Sequence, residues 1–299
     1  MQKTLLNIVK YAVGIGFLIA VLAWFDVFAS LSLLKGLRIE FFLIACGIVV
    51  CIHALKALRF YALAQELSVH CSLKSMILAH MIAPIIGRVT PGKLGELSKV
   101  ALLRGDKKTL SFVFILEKLA DMVTLSIVAA FGIFAFGNYV QAWLGMVIII
   151  IAAMIVLWKF EKLLNFFVGR NLLEDQWFKE HLVKIGHMQW LLYLAYSTLI
   201  RFLILSVPWV VAKALGIDIP MWLMFMIFAV SSLVGNLSGL PGGIGTREAS
   251  FGFLLITYAL VAKEPAGIIV VLSLLADLLV ESVLGSVGWT MHVTRVASR

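Results

Sequence analysis

Apolar residues run through nearly the whole chain in stretches of about 20, the length that an α-helix needs to cross a bilayer. Between these stretches no segment of ordinary soluble composition remains. The pattern predicts an all-α, polytopic membrane protein in which residues 1–299 form one integral membrane domain. About six stretches are typical of complete transmembrane helices, and they lie at 11–28, 40–62, 110–136, 140–160, 188–213 and 266–290.

Two further apolar regions, 73–103 and 221–262, are each interrupted by proline and clustered glycine. Such residues end helices and expose backbone groups that lipid cannot hydrogen-bond. Breaks of this kind therefore survive at membrane depth only where protein or a wet cavity surrounds them. We predict two re-entrant hairpins, each made of a half-helix, a polar turn and a second half-helix. The turn residues are Pro91, Gly92, Gly95, Pro241, Gly242, Gly243 and Gly245.

The basic residues between the predicted helices fall mostly on one side of the membrane. If the N-terminus is cytoplasmic, Lys56 and Arg59 belong to a cytoplasmic segment, as do most other basic residues. The outer segments hold only Lys35, Arg38, Lys213 and Lys263. This positive-inside bias predicts a multi-pass protein of the inner cell membrane, with both termini in the cytoplasm.

The two halves of the chain share their motifs. A Pro-Gly turn is followed by two acids four residues apart on a helix, both in 40–136 and in 188–290. In the six-span topology the two hairpins enter from opposite sides, so we predict an inverted repeat, which is typical of transporters.

Residues 161–187 alternate aromatic and aliphatic side chains with lysine and arginine. This alternation favours an amphipathic helix that lies on the cytoplasmic face of the membrane. The alternative is a solvated loop helix without contact to lipid.

Composition excludes several classes of protein. The chain is 62% hydrophobic and only 14% charged, whereas a soluble domain has about 25% charged residues. Despite a net charge of +9, it offers little soluble basic surface, so we expect no nucleic acid partner. Gly87, Gly92 and Lys93 match part of a phosphate-binding loop, but Leu94 stands where that motif needs serine or threonine. The histidines and cysteines lack metal-ligand spacing, so we expect no cofactor and no metal.

Charged residues at apparent membrane depth are the candidates for function, because a charge there costs several kcal/mol. Arginines and half-helix N-termini suit a phosphate, and close acids suit a proton or a cationic group. The predicted substrate-binding residues are Arg88, Lys93, Glu96, Arg201, Arg247 and Glu248. The predicted proton- or cation-handling residues are Glu117, Asp121, Asp277 and Glu281. The alternative is that these groups form ion pairs that lock the hairpins into the bundle.

Three motifs resemble the transmembrane region of lysylphosphatidylglycerol synthases, a family that includes flippase-like proteins. They are Thr90-Pro-Gly-Lys-Leu-Gly-Glu96, Glu117-Lys-Leu-Ala-Asp121 and Leu240-Pro-Gly-Gly-Ile-Gly-Thr-Arg-Glu248. The resemblance spans about 5–290, although Lys118 stands where the family usually has arginine. It implies a membrane domain that moves a phospholipid or a polyprenyl-phosphate-linked lipid between leaflets. We expect a stand-alone member without the soluble aminoacyltransferase domain.

These observations together favour a lipid translocase or scramblase, not an enzyme, whose partner is a membrane lipid. Two alternatives stay open at this point. One is a membrane-embedded enzyme that acts on a lipid phosphate. The other is a non-catalytic protein that presents lipid to a separate glycosyltransferase or aminoacyltransferase. The lipid, the direction of transport, the energy source and the oligomeric state do not follow from the sequence.

Overall fold

The fold is known from a computed structural model, which describes residues 16, 18–20, 22–26, 29–69, 71–88, 90, 94–136, 187–238, 240 and 242–297. Within these residues all regular structure is helical, which confirms the predicted all-α class. Two segments, Ala29–Gly36 and Leu94–Leu97, are 3-10 helices. The α-helices are α1 (Ile39–Glu66), α2 (Leu73–Arg88), α3 (Ser98–Leu102), α4 (Lys107–Phe136), α5 (His187–Ala214), α6 (Met221–Leu237), α7 (Thr246–Tyr258) and α8 (Lys263–Ala297).

Helices α1, α4, α5 and α8 are long and apolar enough to cross a membrane. They coincide with four of the predicted spans, and the chain is therefore a multi-pass membrane protein. Half of 11–28 and all of 140–160 lie outside the described residues, as does the predicted amphipathic helix apart from His187. Helix α1 continues to Glu66, four residues beyond the predicted end, so its last turns also belong to the bundle.

Both glycine- and proline-rich breaks interrupt helices. The first separates α2 from α3, and the second separates α6 from α7. In each hairpin a glycine at the end of the first arm lets the second arm approach closely. A Cβ atom on Gly87 would lie 2.6 Å from Cγ of Glu96, and one on Gly235 would lie 2.8 Å from Cβ of Arg247. Any larger residue at either position would push the two arms apart.

The second turn depends on backbone conformations that favour glycine. Gly242, Gly243 and Gly245 have φ of +62°, +70° and +87°, a region that side chains with a Cβ rarely occupy. A Cβ on Gly242 would also lie 3.8 Å from the carbonyl oxygen of Arg88, so the tips of the two hairpins are close together. Pro241 lies outside the described residues.

The first turn is held by Thr90. Its Oγ1 accepts a hydrogen bond of 2.6 Å from the backbone N–H of Gly95 and donates to the carbonyls of Ile86 and Gly87 at the end of α2. These bonds satisfy backbone groups that the break would otherwise leave unpaired. Pro91, Gly92 and Lys93 lie outside the described residues.

Two apolar cores stabilise the bundle. One core consists of residues from α5, α6, α7 and α8, from the first half of α1 and from the second half of α4. The other joins the second half of α1 with α2, α3 and the first half of α4. Along α1 the first core ends at Ile52 and the second begins at Phe60. His53, Lys56 and Arg59 lie in this interval, and charged groups from other helices meet them there.

Candidate functional site

Each of the two predicted acid pairs contacts one arginine from a different helix. On α4, Glu117 and Asp121 lie 3.3 and 2.8 Å from the guanidinium of Arg59. On α8, Asp277 and Glu281 lie 3.4 and 3.0 Å from Nη2 of Arg88. Acids four residues apart share one face of a helix, so a single arginine can bind both.

The environment of Arg59 is almost completely closed. The side chain is 1% exposed, and Nη1 donates 2.8 Å hydrogen bonds to both Asp121 and the hydroxyl of Ser197. The guanidinium carbon lies 5.4 Å from the centre of the Tyr193 ring, within the range of a cation–π contact. Arg59 therefore joins α1 to α4 and α5 through charge-assisted bonds.

A buried lysine links the first hairpin to α4. Lys99 is 2% exposed, forms an ion pair with Glu117 and lies 4.8 Å from the centre of the Phe60 ring. Its Nζ also lies 3.5 Å from Nε2 of His80. Nδ1 of His80 is 3.0 Å from the carbonyl of Met76, and because a carbonyl only accepts, Nδ1 carries the proton in the neutral ring. Nε2 then faces the ammonium as an acceptor.

The first hairpin carries a charged contact at each end of its turn. Arg88, the last residue of α2, binds the acids of α8, and Glu96 beyond the turn forms an ion pair with Lys118 of α4. The second hairpin differs, because Arg247 pairs with its own neighbour Glu248. Glu248 also accepts a 2.6 Å hydrogen bond from the N–H of Gly245 and so closes its own turn.

These groups enclose a polar cavity of about 60 Å³ between α1, α2, α4, α8 and the segment after the first turn. It is lined by His53, Lys56, His80, Ala83, Pro84, Arg88, Glu96, Lys99, Glu117 and Glu281. A water molecule needs about 10–15 Å³ on this scale, so the cavity can hold a few waters or one small anionic group.

The cavity brings together four of the predicted site residues and leaves others elsewhere. Arg88, Glu96, Glu117 and Glu281 belong to its wall. Arg201 does not, and instead donates a hydrogen bond to the backbone carbonyl of Asp121, with Nε buried and lacking a partner in the described part of the chain. Glu117 and Asp121 bind Arg59, which is not among the predicted site residues.

Several residues of this site do not appear among the sequence candidates. Arg59 is predicted only as part of a cytoplasmic segment, whereas in the structure α1 continues past it and its side chain is buried in the bundle. A signal was available, since Arg59 stands in an apolar run, Ala57-Leu-Arg-Phe-Tyr-Ala-Leu-Ala64, much as Arg201 does. Lys99 and His53 carry no comparable signal, because only the packing of distant helices makes them neighbours.

Comparison with known proteins identifies one family. A family model described as the lysylphosphatidylglycerol synthase TM region matches residues 7–285, which is nearly the whole chain. No curated protein matches the sequence. Among the residues that the structure describes, no group of three or more histidine, cysteine, aspartate or glutamate side chains is placed to hold a metal ion.

Proposed function

The chain belongs to the family of the lysylphosphatidylglycerol synthase transmembrane region and is a membrane protein related to lipid handling, and from this premise we propose that it is a lipid translocase. Its substrate is a phospholipid or a polyprenyl-phosphate-linked lipid, which it moves between leaflets. The observation that carries the proposal is the charged cavity between the first hairpin, α1, α4 and α8. Ionised groups are too costly at membrane depth to be retained without a reason.

Arg88 is the residue to which we assign the first contact with the lipid phosphate. It lies at the tip of the first hairpin, and its guanidinium is a planar fork that matches phosphate as well as carboxylate. A phosphate can therefore replace Glu281 and Asp277 as its partner. The two displaced carboxylates then take up protons or bind a cationic part of the head group.

The other sequence candidates take supporting roles in this mechanism. Glu117 and Asp121 are held by Arg59, so proton or cation handling falls mainly to the acids of α8. Glu96 ties the hairpin to α4 through Lys118. The remaining predicted ligands are Lys93, Arg201, Arg247 and Glu248, and we propose that they guide the head group before and after it contacts Arg88.

The size of the cavity determines what has to move. About 60 Å³ accommodates a phosphate group but not a lipid, so the first hairpin has to separate from α8 during transport. The predicted inverted repeat supplies a mechanism for this proposal, in which each hairpin opens the site toward its own side of the membrane. Breaking the contact between Arg88 and Glu281 is the local event that permits this opening.

The test uses purified protein in liposomes with fluorescent phosphatidylglycerol or a fluorescent polyprenyl phosphate. Movement is measured as the fraction of label that an external reductant can bleach. We expect wild-type protein to accelerate movement of at least one lipid without changing it chemically. Arg88→Lys should lower the rate roughly tenfold, since lysine keeps the charge but lacks the fork, whereas the exposed control Arg104→Gln should leave it unchanged.

Two outcomes would redirect the proposal to the alternatives. A chemically altered lipid would favour a membrane enzyme with one of the cavity acids as general base. Neither movement nor chemical change, at normal folding, would favour a protein that presents lipid to a separate transferase. An Arg88→Lys variant with wild-type movement would remove Arg88 from the role assigned to it.

A further inference from the structure

The wall of the cavity is electrically balanced as it stands. Within the described part of the chain it contains three cations and three acids, which are Lys56, Arg88, Lys99, Glu96, Glu117 and Glu281. The phosphate of an anionic lipid such as phosphatidylglycerol would add a negative charge without a cation. An uncompensated charge is costly at membrane depth, so binding of the phosphate calls for one further positive charge, and a proton can supply it.

The two histidines that line the cavity differ in what their ring nitrogens face. Nδ1 of His80 is 3.0 Å from the carbonyl of Met76, and its Nε2 is 3.5 Å from the ammonium of Lys99. A proton on that Nε2 would point at a cation, so His80 is unsuited to hold it. Nε2 of His53 lies instead 3.8 Å from a carboxylate oxygen of Glu281.

His53 is placed to receive a proton when Arg88 leaves Glu281. The side chain is buried and makes no hydrogen bond with the residues that the structure describes. Its 3.8 Å separation from Glu281 is too long for a hydrogen bond, while Arg88 occupies that carboxylate through Nε and Nη2. Once the guanidinium turns to a phosphate, Glu281 loses its cation. A protonated imidazole can then form a charge-assisted bond to it after only a small movement.

The charges around His53 act in opposite directions. Those on its own helix, on α8 and on the first hairpin are Lys56, Asp277, Glu281 and Glu96. The wall is completed from α2, α3 and α4 by Arg88, Lys99 and Glu117, and none of the lining residues belongs to α5. The lysines disfavour a proton on the imidazole, and the acids favour it. Only Arg88 changes its partner in the proposed mechanism, so its move to a phosphate favours the protonated form of His53.

We propose that His53 takes up one proton when Arg88 exchanges the carboxylates of α8 for a lipid phosphate, and that the protonated imidazole then binds Glu281. The proton returns to solution when the phosphate leaves and Arg88 pairs with Glu281 again. The inference rests on the proposed function and deepens it, because the positive charge that the acids of α8 require is assigned to an imidazole of α1. The alternative is a proton on Glu281 itself, and the experiment separates the two.

The first measurement needs no ligand. Nuclear magnetic resonance of the histidine rings reports their protonation in the purified full chain in detergent micelles, and His53→Gln assigns the signal. Arg88→Gln removes the cation from Glu281, so it should keep a proton on His53 at a pH at which the wild type has none. The exposed control Arg104→Gln should titrate like the wild type. Adding Glu281→Gln to Arg88→Gln removes the stranded carboxylate and should restore the wild-type titration.

The second measurement counts protons during lipid binding to wild type and His53→Gln. Titration calorimetry with phosphatidylglycerol in mixed micelles, repeated in buffers of different ionisation enthalpy, gives the number taken up, and diacylglycerol is the matched lipid without phosphate. Wild type should take up about one proton per phosphatidylglycerol, so its affinity should fall by up to about tenfold for each unit of rising pH. His53→Gln should bind without uptake and with little dependence on pH. His292→Gln, outside the cavity wall, should behave like the wild type.

The outcomes separate the proton acceptor from lipid transport. Proton uptake that persists in His53→Gln would assign the proton to Glu281 and overturn the inference. Binding without uptake in the wild type would overturn it as well, as would an unchanged His53 titration in Arg88→Gln. The liposome assay tests the translocase independently. Uptake through His53 without lipid movement refutes only the proposed function, and lipid movement without proton uptake refutes only the role of His53.

Discussion

Replacing Arg59 with glutamine removes the cation that the structure places between α1, α4 and α5. The wild-type side chain is 1% exposed and binds two carboxylates, at 2.8 and 3.3 Å, and one hydroxyl, at 2.8 Å. Glutamine reaches less far, carries no charge and cannot bind both acids. The variant therefore leaves carboxylates in the bundle without their counter-ion, which is the costly part of breaking a buried ion pair.

Breaking such a pair from one side costs roughly 3–5 kcal/mol of unfolding free energy. Two features favour the lower end, about 3 kcal/mol. Glu117 keeps Lys99 as a partner, and the side chain of Asp121 is 17% exposed and so retains some solvation. Asp121 keeps no other ion pair within the described residues, so most of the loss comes from its carboxylate.

The measurement is unfolding in mixed micelles with increasing dodecyl sulfate, followed by tryptophan fluorescence. Arg59→Gln should lower the unfolding free energy by about 3 kcal/mol, whereas the exposed control Arg104→Gln should stay within about 0.5 kcal/mol of wild type. Combining Arg59→Gln with Asp121→Asn should recover at least about 1 kcal/mol relative to the sum of the single losses, because the stranded carboxylate is then gone.

The reasoning fails if Arg59→Gln unfolds within about 0.5 kcal/mol of wild type. It also fails if the two substitutions are additive, since residues in direct contact are expected to couple by about 0.5–3 kcal/mol. Either result would mean that Arg59 is not the counter-ion of the α4 acids in the membrane.

Three further predictions address the second hairpin, the start of α4 and the topology. Gly243→Ala should lower the melting temperature and the yield of folded protein, because the residue has φ of +70° and its Cβ would lie 2.8 Å from the backbone carbonyl oxygen of Gly235. The control Gly47→Ala, in open space on α1, should be neutral or slightly stabilising. Equal behaviour of the two variants would contradict the backbone conformation assigned to the second turn. Asp106→Ala should cost about 1 kcal/mol, since its carboxylate accepts a 3.0 Å hydrogen bond from the N–H of Thr109. Partial burial raises the pKa of Asp106, but the hydrogen bonds from Thr109 outweigh this effect and hold the pKa below its ordinary value. The stabilisation by Asp106 is therefore present above the ordinary carboxyl pKa and is lost as the pH falls through the lower pKa of the folded state. A stability difference between variant and wild type that does not shrink in acid would contradict this role of Asp106. Single cysteines at Asp106 and Asp218, in a cysteine-free chain, should be labelled by an impermeant reagent from opposite sides of the membrane, and labelling from one side would refute the inverted repeat.

The sequence alone determined which segments form long helices and where glycine and proline interrupt them. Hydrophobic runs of membrane length predict α1, α4, α5 and α8, because a helix in lipid satisfies its backbone internally and only length and apolarity are needed. The glycine- and proline-rich breaks are equally local, since proline removes a donor and glycine permits positive φ. The motifs around Thr90 and Gly242 are likewise short, contiguous stretches of sequence, and they were sufficient to indicate the family.

Only the tertiary structure decided which charges are partners. Arg59 contacts Asp121 at a separation of 62 residues, and Arg88 contacts Glu281 at a separation of 193. A hydropathy pattern reports which residues tolerate lipid, but it carries no information on which helix faces meet. The sequence therefore predicts Arg59 only as part of a cytoplasmic segment, and it does not indicate that Lys99 is buried beside Glu117.

The cavity is the clearest case of this division. Its acids were identifiable one by one, because ionised side chains in an apolar helix are rare and costly. Of its cations only Arg88 is a sequence candidate, since Lys56 and Lys99 lie near the predicted ends of apolar runs, where lysine is ordinary. Packing brought these side chains to the same 60 Å³ of space, where contacts of a few ångströms pair Arg88 with Glu281 and Lys99 with Glu117.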